Sequence, residues 1–191
     1  MSALIPTVKA EKEDEKSTTV GRFLARRGVL LIKEFRDMAA VKGEYGGKVS
    51  VSTLILSSAQ TTRGDVQYGI KLEHTDEDGD MRGSGFLDYD EIAELIGAFD
   101  FIQSVANRMV AQQRDYTEVT YQTKDNLKFG FYQSEGQQQA FIDVGGYGQS
   151  LFISVSKLQH LKSSIEAARQ HLVSRGADPE SVETNYSSRT E

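Results

Sequence analysis

Residues 85–102 read GFLDYDEIAELIGAFDFI, and residues 151–168 read LFISVSKLQHLKSSIEAA. At an offset of 66 the two superpose as strand-to-helix junctions. Phe86 and Leu87 fall on Phe152 and Ile153, the ends of two strands. Asp90 falls on Ser156, and both residue types cap helix N-termini by accepting a backbone N–H. Ser156 with Gln159 fits a capping box, and Asp88 with Glu91 is a rival cap two residues earlier. Ile92, Leu95 and Phe99 fall on Leu158, Leu161 and Ile165. Spacings of three and four put each set on one helical stripe. The first stripe continues through Ile102, Val105, Ala106 and Met109, the second through Ala168 and Leu172.

Working outward, the segments before each junction alternate with period two, as half-buried strands do. In the first half these are VLLIKEF (29–35), KVSVSTLILSS (48–58), DVQYGIKLEHT (65–75) and MRGSGFLDY (81–89). In the second they are YTEVTYQT (116–123), LKFGFYQ (127–133), QQAFIDV (138–144) and SLFISV (150–155). The helices are expected to run to about Met109 and Ser174. A short lead-in helix is predicted before the first strand, capped by Thr18 or Thr19 and ended by Gly28. The fold class is therefore α+β: a tandem repeat of a four-strand-plus-helix unit, forming two antiparallel sheets about a pseudo-two-fold. The repeats span 28–110 and 115–174 within one domain over 20–174. Residues 1–19 (with the mixed-charge run KAEKEDEK) and 175–191 have little to bury and read as disordered tails.

Composition narrows the function. Cysteine is absent, which removes disulfides, thiol nucleophiles and cysteine-ligated metals. No apolar run is long enough to span a membrane, and the N-terminus lacks the features of a secretory signal, so the expected location is the cytoplasm. The net charge of −6 disfavours indiscriminate nucleic-acid binding, but it is unevenly spread. Arg22 to Lys48 holds seven Lys/Arg against three Asp/Glu, whereas Glu73 to Asp100 holds ten acids and only Arg82 as a base.

A tandem pair of four-strand-plus-helix units over Val29 to Leu172 resembles the Whirly proteins, and is similar to a transcriptional-coactivator family that builds the same assembly from two chains. The resemblance is one of topology. The lysine-glycine-lysine-alanine motif of plant Whirly proteins is absent, and GEYGGKVSV stands near its place. It implies two packed twisted antiparallel sheets with crossing helices, each helix covering the opposite half, that bind single-stranded DNA or RNA on their sheets, with no binding residue transferable by motif.

Such a binder needs cations along a groove and flat side chains for bases to stack on. Alternation puts Lys71 opposite Ile70 and Leu72, puts Lys128 and Tyr132 opposite Phe129 and Phe131, and puts Ser50 and Ser52 opposite Val49 and Val51. These residues form one candidate surface. The basic segment Arg22, Arg26, Arg27 and Lys48, with Lys33, Arg36 and Lys42, is the other. The same polarised charge also suits self-association or docking of a protein partner.

Rival chemistries read less well. The turn DEDGD (76–80) lacks the glycine position and the distal glutamate of a calcium loop, and Asp78-Gly79 is a hairpin signal. The glycines of GGYGQS (145–150) lead into a strand rather than a helix, so they do not make a phosphate cradle. His160 and His171 stand about three turns apart, too far to share a metal. His74 beside Asp76 is a solvated turn pair rather than a site. No nucleophile–base–acid constellation is legible. The expectation is a non-catalytic module without cofactor or metal.

Overall fold

A computed structural model describes residues 18–59, 66–112, 115–145 and 150–178. The order is α1 (Thr19–Leu24), β1 (Leu31–Lys42), β2 (Lys48–Ser58), β3 (Val66–Thr75), β4 (Met81–Asp88), a 3₁₀ turn (Tyr89–Glu91), α2 (Ile92–Met109), β5 (Tyr116–Gln122), β6 (Lys128–Ser134), β7 (Gln137–Asp143), β8 (Leu151–Ile153) and α3 (Lys157–Ser174). The strands form two antiparallel sheets in sequential order, β1-β2-β3-β4 and β5-β6-β7-β8. The α+β class with two sheets is therefore observed, and four strands followed by a helix occur twice.

The alternation read from the sequence is the inside–outside pattern of the sheets. Val49, Val51, Thr53 and Ile55 of β2 are buried on one face, with Ile70 and Leu72 of β3 and Leu87 of β4 beside them in register. Phe129, Phe131, Ala140, Ile142, Leu151 and Ile153 do the same in the second sheet. The stripes of both long helices complete this core. α3 lies against β1, β2 and β3 of the first sheet, and α2 against β5 and β6 of the second. Arg175 donates to Glu34 at 2.6 Å, and the Tyr68 hydroxyl donates to the Arg175 carbonyl, at the end of α3.

A reciprocal docking of hairpins joins the halves. The β1–β2 turn reaches β8, where the Glu44 N–H donates to the Phe152 carbonyl at 2.9 Å. The β5–β6 turn reaches β4, where Asp125 accepts from the Phe86 N–H at 2.7 Å. Gly46 and Gly47, at φ of 85° and 71°, give the first turn a left-handed backbone that side chains disfavour.

Several expectations are corrected. β1 does not end at Phe35 but runs to Lys42, because a bulge between Asp37 and Ala39 resets the register and hides the alternation. β8 is only three residues long. Ser156 makes no capping bond, so the Ser156–Gln159 capping box does not form; the Ser156 hydroxyl instead meets that of Ser154 at 3.0 Å. On the first helix the rival cap operates: the Asp88 N–H donates to Glu91 at 3.1 Å. The lead-in helix exists and is capped by Thr18, whose hydroxyl oxygen accepts from the Gly21 N–H at 3.0 Å. It ends before Gly28, at Ala25. The packed domain is slightly longer than expected at both ends, since Thr18 and Ala177 are buried. The remaining tail residues, 1–17 and 179–191, lie outside the described residues, as does most of GGYGQS.

Candidate functional site

The side of each sheet turned away from the core holds the predicted residues, but on two separate faces. On the first sheet, directly opposed positions share a face. Lys33–Leu56, Phe35–Leu54, Asp37–Ser52–Lys71, Ala40–Ser50–Glu73 and Lys42–Lys48 are such rows. α1 roofs one end of this face. Val20 and Phe23 bury Leu54 and Leu56 from outside, which is why β2 is apolar on both faces there. Asp88 holds α1 in place: its carboxylate accepts from the N–H groups of Thr19 at 2.6 Å and Val20 at 2.9 Å.

Arg22, Arg26 and Arg27 belong to this roof. Arg22 donates to the Thr19 hydroxyl at 3.2 Å, and the Arg26 guanidinium lies 4.1 Å from the centre of the Phe23 ring. Arg27 is exposed. Beyond the roof the face opens into a shallow depression of about 520 Å³ lined by Phe35, Asp37, Ser50, Ser52, Lys71 and Glu73. The Phe35 ring is 52% exposed and has the Lys71 ammonium 6.0 Å from its centre. Lys71 pairs with Glu73 at 2.5 Å, and Ser52 donates to Asp37 at 2.8 Å. Lys42 and Lys48 stand at the far end, eight residues along β2 from Leu56, or roughly 27 Å at strand rise. Five predicted residues, Arg22, Arg26, Arg27, Lys48 and Lys71, thus lie along one face. Arg36 does not join them. It turns to the helix-covered side and meets His171 at 3.3 Å.

Lys128 and Tyr132 lie on the outer face of the second sheet, not with Lys71. Tyr132 belongs to a row of rings that the sequence reading missed. It stacks with Tyr116 at 6.1 Å and 21°, and meets Phe152 edge-on at 6.2 Å. Phe152 in turn meets Tyr45 at 6.3 Å. Tyr45 comes from the first sheet's hairpin and is 73% exposed. Only Tyr116 and Tyr132 shared a legible signal, as outward positions on paired strands; Tyr45 arrives through the hairpin docking. This row is fringed by acceptors. Glu118 accepts from Tyr116 at 2.6 Å and from Thr120 at 2.7 Å, bonds that hold its carboxyl below the ordinary range and push the Tyr116 phenol up. Gln139 donates to Glu44 at 2.9 Å.

The acids singled out in sequence serve structure. Asp76 accepts from the N–H groups of Asp78 and Asp80 and pairs with Arg82, closing the DEDGD turn around Gly79. Glu91 accepts from the Lys124 N–H at 2.8 Å as well as from Asp88, and burial raises its carboxyl. Lys124 pairs with Asp90 at 2.9 Å. Among the described residues no group of three His, Asp or Glu side chains is placed to hold a metal, and no helix is long and apolar enough to cross a membrane. No family model, curated protein or solved structure matches the chain.

Proposed function

We propose that this protein is a non-catalytic module that binds single-stranded DNA or RNA along the outer face of its first sheet. The observation that carries the reading is the composition of that face. Lys33, Lys42, Lys48 and Lys71 share it with the arginines of α1, against Asp37 and Glu73, around the exposed ring of Phe35. Cations spaced along a strand direction match a phosphate backbone, and a ring beside them offers one base a stacking partner. The acidic net charge is then carried elsewhere, which favours binding at a defined track over adhesion everywhere.

The test is fluorescence anisotropy of a labelled mixed-sequence single-stranded oligonucleotide at low and moderate salt, in DNA and RNA forms. Binding is expected to fall steeply with salt, and Lys48→Glu or Lys71→Glu to weaken it and flatten the salt slope by about one unit or more. Absence of binding to either polymer at low salt refutes the reading.

The second sheet favours a different ligand. Its row of Tyr45, Tyr116, Tyr132 and Phe152 is flanked by Glu44 and Glu118, which repel phosphate. Aromatic rings with hydrogen-bonding rims suit a protein partner. Lys128→Glu is accordingly expected to leave oligonucleotide affinity nearly unchanged, in contrast to Lys71→Glu.

A further inference from the structure

Among the described residues β1 is an edge strand, with β2 as its sheet neighbour. A free edge presents unpaired backbone groups that can pair with another chain. Residues Ile32 to Asp37 are exposed, Ile32 at 47% and Phe35 at 52%. The side chains on this stretch read Lys33-Glu34-Phe35-Arg36-Asp37, a charge pattern that reads the same with signs exchanged about Phe35.

The ladder tells which backbone groups are free. The Ala59 N–H donates to the Leu30 carbonyl at 2.9 Å, continuing the β1–β2 register. Hydrogen-bonded pairs alternate along an antiparallel ladder. Positions 30, 32, 34 and 36 therefore bond inward to β2, and Leu31, Lys33, Phe35 and Asp37 direct N–H and C=O outward. A second copy pairing antiparallel about a two-fold axis sets one residue of this stretch opposite itself, on a hydrogen-bonded pair if that residue bonds outward and on a non-hydrogen-bonded pair if it bonds inward. Centring on Lys33, Glu34 or Arg36 opposes two like charges, centring on Leu31 or Ile32 sets Glu34 opposite an uncharged residue, and centring on Asp37 opposes two carboxylates and runs into the bulge. Centring on Phe35 places Lys33 opposite Asp37 of the second copy, and Glu34 opposite Arg36 of the second copy, each pair twice. The two Phe35 rings then meet on the axis.

We infer that two copies of this chain pair through β1, antiparallel and centred on Phe35, to join their first sheets into one eight-stranded sheet. A two-fold interface has to be self-complementary, and this edge is. The bulge at Met38 ends the pairing after Asp37 and excludes longer registers. Among the described residues the edges β4 and β8 are met by turns of the other half, and the remaining edge, β5, carries Tyr-Thr-Glu-Val-Thr-Tyr-Gln and offers no such match, having one charge. Pairing also sets the two depressions around Phe35 and Lys71 side by side, on one continuous face.

The proposal is tested by sedimentation equilibrium of the whole chain from about 1 to about 500 μM, the range in which a small interface of this kind associates. The mass is expected to climb from 21.2 kDa toward twice that value. Lys33→Asp sets carboxylates opposite Asp37 at both symmetric positions and should weaken association about tenfold or more. Adding Asp37→Lys reverses the pattern and should restore it. Because the chain has no cysteine, Phe35→Cys supplies a single thiol. Opposed residues in a hydrogen-bonded pair stand about 5.5 Å apart at Cα, within disulfide reach, so this variant should oxidise to a covalent dimer far faster than Thr120→Cys on β5. A wild-type mass that stays at 21.2 kDa throughout, a Lys33→Asp/Asp37→Lys pair that associates no better than Lys33→Asp alone, or equal cross-linking of the two cysteine variants would each overturn the proposal. None of these outcomes depends on whether the face binds nucleic acid.

Discussion

Asp88→Ala is the most informative single perturbation of this fold. The carboxylate is buried, at 4% exposure, and accepts from the first two N–H groups of α1 across nearly seventy residues of sequence. Hydrogen bonds to a charged acceptor contribute about 1.5–3 kcal/mol each, so a variant that keeps α1 docked loses about 3–6 kcal/mol. The alternative for the variant is to release α1. That exposes Val20 and Phe23, now 1% exposed each, at about 1.5–3 kcal/mol apiece, and uncovers Leu54 and Leu56. Freed chain entropy returns about 1–2 kcal/mol per residue, which makes release the cheaper course. A net loss of about 3 kcal/mol is expected. Asp88→Asn retains one acceptor oxygen and should lose about half as much. Urea unfolding measures the loss, and hydrogen exchange locates it: amides of Val20 to Leu24 should exchange much faster in the alanine variant, while those of β5 to β7 stay protected. A loss below about 1 kcal/mol with α1 protection intact would refute the tether and leave apolar packing as the sole anchor.

Glu91 supplies a pH test. Burial raises its folded carboxyl above the ordinary value of 4.5, so the charged form costs stability at neutral pH, and that cost disappears as pH falls through the raised value toward 4.5. Glu91→Gln should remove this acid-side recovery from a plot of Tm against pH between neutrality and about pH 4.5. Thr18→Ala should cost about 1 kcal/mol in chemical unfolding through loss of the cap on Gly21, whereas Ser156→Ala, whose hydroxyl caps nothing, should stay within about 0.5 kcal/mol of wild type. Gly130→Ala should destabilise by about 1–3 kcal/mol or more, because its new methyl meets the Val119 carbonyl of the paired strand and the Phe141 ring, 3.0 Å away. A neutral Gly130→Ala would mean that β5 yields easily at that point.

Much of this architecture is legible in the amino-acid sequence. β2, β3 and β5 fall within a residue of where alternation put them, as do the ends of both long helices. The buried stripe Ile92, Leu95, Phe99 and its counterpart Leu158, Leu161, Ile165 are as spaced. The candidate site was half legible. That Ser50, Ser52 and Lys71 share an outer face follows from period two within adjacent strands. That Lys128 and Tyr132 do not share a surface with Lys71 does not, because alternation says which side of its own strand a residue takes and nothing about how the outer faces of two sheets sit. The β1 extension was lost for a similar reason, since a bulge shifts the phase of the pattern at Met38.

The amino-acid sequence by itself determined the elements and their buried sides, because periodicity, caps and turn residues act through neighbours a few positions away. Only the tertiary structure decided that α3 covers the first sheet and α2 the second, that Tyr45 completes a ring row with Phe152, and that Asp88 anchors α1. Apart from the packing of α2 on β5 and β6, those choices join residues about 70 or more positions apart. An apolar stripe buries as well on one sheet as on the other by local criteria, and the selection rests on which arrangement satisfies every hairpin, edge and buried carboxylate at once.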